Sequence, residues 1–167
     1  MSEGPIRFDV ATDRMSNPRA WHPGTPPARA YVIGGLVLAW LDRYGLLAEW
    51  VQGAAAEELQ EMRSGDGRPS AAYRALDGIL ATDMMCSPGR EFVTYLHSPR
   101  RGGGAGRIDQ LHAKWKGDLD WYELEDTPDV VAGALDDLDK EYKEFRDAIW
   151  LYRRIHRRQW KLPPRAT

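Results

Sequence analysis

Apolar positions along the chain recur mostly at spacings of three and four residues, the period of amphipathic helices. The strongest run, Val32-Ile33-Gly34-Gly35-Leu36-Val37-Leu38-Ala39-Trp40-Leu41, is apolar on nearly every face. It predicts the central helix of a bundle, from about Ala28 to Tyr44, stopped at Gly45. Pro23, Gly24, Pro26 and Pro27 make a stiff, extended entry to it. Gly34 and Gly35 weaken a helix by propensity, so they predict a neighbouring element packed close against its backbone.

Shorter helices are expected over Leu46–Val51, Ala54–Met62, Pro69–Leu76, Arg90–His97 and Ile108–Lys116. Turns fall at Ser64-Gly65-Asp66-Gly67 and at Asp77-Gly78, and the glycine-rich stretch from Ser98 to Arg107 predicts a mobile loop. Thr127-Pro128-Asp129 is a start signal: an N-cap hydroxyl, proline in the first turn and an acid at the positive helix end. A long helix should run from there to about Trp160, before Pro163-Pro164. Its stripe Val131, Leu135, Leu138, Tyr142, Phe145, Ile149, Tyr152 and His156 suits a bundle core better than a two-stranded seam, where these aromatics are bulky. Beyond Ile149 the choice stays open, because Trp150, Leu151, Ile155 and Trp160 lie outside that stripe.

Two segments alternate with period two. Ile6 to Val10 reads as a short edge strand without an obvious partner, and Leu119 to Glu125 as an extended segment. The expected fold is therefore all-α: a compact helical bundle with a long C-terminal helix and room for one short extended segment. Residues 1–20 read as an N-terminal arm, 21–162 as a single helical domain and 163–167 as a tail.

Composition changes this picture little. The 167 residues are 43% hydrophobic and 29% charged, with a net charge of −2, so no global field favours nucleic acid or membrane. The single cysteine, Cys86, excludes an intramolecular disulfide and a cysteine-rich zinc site. No charged-then-apolar leader precedes Arg14, and the run Tyr31–Leu41 is too short to span a bilayer, so a cytoplasmic location is expected.

Six fragments occur in an order that resembles an uncharacterised bacterial family known only as a domain of unknown function. They are Trp21-His22-Pro23-Gly24; Ile33-Gly34 with Leu38-Ala39-Trp40; Arg74-Ala75-Leu76-Asp77-Gly78; Phe92-Val93-Thr94-Tyr95; Trp121-Tyr122-Glu123-Leu124-Glu125-Asp126-Thr127-Pro128; and Leu138-Asp139-Lys140-Glu141-Tyr142-Lys143-Glu144-Phe145-Arg146. The resemblance covers about residues 21–146 and implies a compact helical domain, with no catalytic residues to carry over. By analogy of genome context, small bacterial proteins of this kind are often immunity partners of toxins.

Catalytic signals are sparse. His22, His97, His112 and His156 include no pair at helical i+3 or i+4 spacing, so no metal or cofactor is expected. His22 with Asp118, Asp120 and Glu123 is the one general-base candidate, weighed against Trp21-His22 as a packing anchor. Arg100-Arg101 and the following glycines lack phosphate-loop spacing, and Cys86 has no sign of activation.

Charge layout is more informative. Between Gly117 and Asp147 twelve acids face only Lys140, Lys143 and Arg146, whereas Arg153, Arg154, Arg157, Arg158, Lys161 and Arg165 follow with no acid. Opposed patches of this kind steer association and select partners. The expected function is accordingly a non-enzymatic protein-binding partner, an immunity protein or antitoxin occluding a bacterial toxin. Its expected contacts are Asp118, Asp120, Glu123, Glu125, Asp126, Asp136, Asp137 and Glu144, with Arg153 and Arg157. The alternatives are an enzyme built on His22, or a nucleic-acid-associated protein using the basic tail with Trp150 and Trp160.

Overall fold

A computed structural model describes residues 5–17, 21–98, 106–119 and 123–156, with side chains as far as Trp150. The chain order is β1 (Arg7–Val10), α1 (Ala11–Met15), a 3-10 turn (Pro27–Tyr31) and α2 (Val32–Arg43). Then come α3 (Glu49–Ala54), α4 (Ala56–Ser64), α5 (Pro69–Ala75), β2 (Ile79–Ala81) and a second 3-10 turn (Thr82–Met84). α6 (Ser87–His97), α7 (Arg107–Lys116) and α8 (Pro128–His156) complete it. The fold is all-α, with one two-stranded antiparallel ribbon.

α2 is the axis of the bundle, and every residue from Val32 to Leu41 is buried. α5 crosses it so closely that a Cβ on Gly35 would lie 2.6 Å from the carbonyl carbon of Pro69, while one on Gly34 would strike the Tyr73 ring. The paired glycines thus exist to admit α5, the close approach that their low helix propensity predicts. α8 packs on α2 with Tyr142 against the Trp40 ring, while Leu138 and Phe145 are buried in the same core, flanked by Leu135 and Ile149. Its stripe is a core face as far as Ile149. Trp40, Phe92, Tyr142 and Phe145 form an aromatic centre with neighbouring rings separated by 4.6–6.1 Å.

Helix starts follow their local chemistry. Thr127 caps α8 ahead of Pro128, and its carbonyl accepts the Val131 N–H at 2.9 Å. α6 begins at Ser87, earlier than the expected Arg90, because Pro88 fits a first turn where its missing N–H costs nothing. α8 is described to His156, and the expected continuation to Trp160 lies outside the described residues.

One expectation needs correction. The N-terminal segment does not stand apart as an arm: β1 pairs with Ile79–Ala81, and Ala11 is fully buried. Asp9 ties it down further, accepting from the Tyr73 hydroxyl at 2.8 Å and pairing with Arg14, which also donates to the Ala30 carbonyl at 2.5 Å. The strand partner escaped sequence reading because three residues between a helix end and a 3-10 turn carry no legible alternation. Of the expected extended segment, Leu119 and residues 123–125 belong to neither helix nor strand, and Leu124 is buried beside Val32, Ile33 and Leu36, with Ala134 of α8 in the same cluster. Residues 120–122 of that expected extended segment lie outside the described residues.

Candidate functional site

The acids expected to form a docking surface divide sharply once the chain is folded. Asp126 is buried and accepts the Ser70 backbone N–H at 2.8 Å, with Arg68 3.9 Å away, which fastens the start of α8 to α5. Asp137 is also buried and receives Lys114 at 2.6 Å and Lys140 at 3.2 Å. Burial pushes its carboxyl upward, but the two ammonium hydrogen bonds outweigh that and hold it below the ordinary carboxylate value. These two are buried and bonded within the fold.

Other members of the stretch are engaged as well. Glu125 pairs with Arg29, whose guanidinium also donates to the Glu123 carbonyl at 2.9 Å. Asp139 accepts from the Trp40 indole and the Tyr44 hydroxyl, both at 2.8 Å. Glu141 faces Arg107, which lies over the Tyr95 ring at 4.0 Å. Asp118, Glu123, Asp136 and Glu144 are exposed. Asp120 and Arg157 fall outside the described residues, and Arg153 is placed only as a position on α8.

Of the general-base candidate, His22, Asp118 and Glu123 are exposed, and Asp120 lies outside the described residues. His112, on α7, is different: its Nε2 is shut off from solvent. Burial, reinforced by the charges of Arg14 and His97, pushes its pKa down to about 3. A histidine kept neutral in the fold, with an ordinary value of 6.5, takes up its proton first in the unfolded chain. Stability from this group is therefore complete above about pH 6.5 and falls as the pH drops toward 3, by up to about 1.4 kcal/mol per unit. Denaturant titrations across that range are expected to show the slope, and His112→Leu should flatten it. An equal slope in the variant would assign the acid sensitivity to other groups.

The feature that sequence reading missed is a cleft of about 300 Å³ between the β2 region and α3. Leu76, Ile79, Ala81 and Met84 give it apolar walls, and Arg7, Asp77 and Asp83 bring charge to it. Trp50, from α3, lines the cleft while remaining 52% exposed. Its indole Nε1–H donates to the Asp83 carbonyl at 3.0 Å, which orients the ring without burying it. Asp77 has φ 58°, the one described residue besides glycine in the left-handed region. Only asparagine and aspartate among side-chain-bearing residues visit that region readily. In the sequence, Asp77-Gly78 is legible as a turn, but nothing there announces its proximity to Trp50.

Among the described residues no group of three or more His, Cys, Asp or Glu side chains is arranged to hold a metal ion. No helix among them is long and apolar enough to cross a membrane. Comparison of the chain with protein-family models, with curated proteins and with solved structures finds no match in any of the three.

Proposed function

We propose that this chain is a non-enzymatic protein-binding partner of the immunity or antitoxin kind, and that the Trp50 cleft is its contact surface. The observation that carries the reading is the half-exposed indole of Trp50, held in orientation over an apolar-walled cleft with Asp77 and Asp83 beside it. Tryptophan and arginine dominate interface hot spots, and a large apolar ring left in water beside a recess is what a partner side chain can desolvate. Asp77 and Asp83 outnumber Arg7 in the cleft and favour a basic partner surface, in keeping with a toxin that acts on nucleic acid or another polyanion.

The test is co-expression with the product of the adjacent gene, measuring protection of the cell together with association and dissociation rates. Trp50→Ala is expected to raise the dissociation rate at least tenfold, about 1.4 kcal/mol, with little change in melting temperature. Asp83→Lys should chiefly slow association and weaken its salt dependence. Unchanged protection and unchanged rates in both variants would reject the cleft as the contact.

A further inference from the structure

The outward face of α8 carries a second stripe, separate from the one packed on the core. Asp129, Gly133, Asp136, Lys140, Lys143, Asp147 and Trp150 follow at alternating spacings of four and three, and all are exposed. Trp150 is 59% exposed. Lys143 and Asp147 are one helical turn apart, yet no ion pair closes between them, and among the described residues none engages Asp136 or Glu144. Gly133 is equally unaccounted for: a Cβ there would meet nothing within 4 Å, whereas Gly34 and Gly35 are each required by α5. A glycine inside a long helix weakens it relative to alanine. Nothing in the described part of the fold requires this one.

The order of charges has a particular symmetry. Consider two copies of α8 laid antiparallel, with a two-fold axis level with Phe145. Each position then lies opposite the one equally far on the other side of that level. Lys143 faces Asp147, Asp136 faces the Arg154 position, and Lys140 comes level with Trp150. Both charged pairings are between opposite signs, the third sets an ammonium beside an indole, and the two-fold axis makes each occur twice. A parallel pairing in register would instead oppose every charge to itself. The span from Asp136 to the Arg154 position is about 27 Å of helix, enough for a side-by-side contact.

We propose that the outward face of α8 is a self-association surface, on which a second copy of this chain docks antiparallel through reciprocal Lys143–Asp147 pairs. Trp150 of each copy packs beside Lys140 of the other, toward the ends of the shared contact. The surface shares no residue with the Trp50 cleft, so it stands independently of the proposed partner function.

The experiment is sedimentation velocity of the full chain over a concentration series, at about 50 mM and about 1 M salt, where screening lengths differ several-fold. A monomer–dimer equilibrium is expected at low salt, shifting to monomer at high salt. Asp147→Lys sets lysine against Lys143 twice and should weaken the dimer at least tenfold. The double exchange Lys143→Asp with Asp147→Lys restores opposite signs and should recover most of the loss, a rescue that mere damage to the helix would not permit. Trp50→Ala should leave the equilibrium unchanged. A monomer at every concentration in low salt overturns the proposal. So does a dimer indifferent to Asp147→Lys, or one that the double exchange fails to rescue.

Discussion

Replacing Trp40 with alanine is expected to lower stability by about 3–5 kcal/mol, the usual cost of emptying a large buried aromatic site. The side chain has no solvent exposure and sits 4.6 Å from the Phe92 ring and 5.0 Å from Tyr142, where α2, α6 and α8 meet. Its loss leaves a cavity that three helices must collapse together to fill. It also removes one of the donors to Asp139, which keeps the Tyr44 hydroxyl and the more distant Arg43. Trp40→Phe separates the two effects. It retains much of the packing and sacrifices the hydrogen bond, and should cost clearly less than the alanine variant. Urea denaturation followed by far-UV circular dichroism measures both without relying on tryptophan fluorescence. If Trp40→Ala unfolded at the same urea concentration as the parent, the ring could not be the centre of the core.

Gly35→Leu is expected to be comparably damaging, about 3 kcal/mol or more, for the opposite reason. A Cβ at this position meets the Pro69 carbonyl carbon at 2.6 Å and the Ser70 nitrogen at 2.7 Å. These are backbone atoms, which no rotamer change can move aside. α2 and α5 would have to separate, and the Ser70 N–H bond to Asp126 would be strained in turn. Gly53 supplies the contrast within the same protein. It lies in α3, and a Cβ added there would meet nothing within 4 Å, so Gly53→Ala should raise stability by up to about 1 kcal/mol. Thermal melts of the two variants should move in opposite directions. Equal melting temperatures would refute the close crossing.

The helices were legible in the sequence because their signals are local. The run from Val32 to Leu41, the paired glycines within it and the Thr127-Pro128-Asp129 start each report on residues within a turn or two of themselves. The alternation at Ile6–Val10 was legible too, but its partner at Ile79–Ala81 was not, since strand pairing joins residues about seventy positions apart. The candidate site was hidden for the same reason. Trp50, Asp77 and Asp83 read separately as a helix residue, a turn residue and an ordinary acid. The cleft exists only because β2 and the 3-10 turn after it fold back beside α3.

The acidic stretch draws the line most clearly. By itself the sequence determined where the charges stand along α8, and hence which faces of that helix they occupy. Which of them are available to a partner was decided by the tertiary structure. Arg29, Arg68, Arg107 and Lys114 come from elsewhere in the chain to meet Glu125, Asp126, Glu141 and Asp137. A helical face follows from spacing along the chain, because the backbone repeats every 3.6 residues. A charge is neutralised by whatever lies within a few ångströms in space, and that distance is set only when the helices pack.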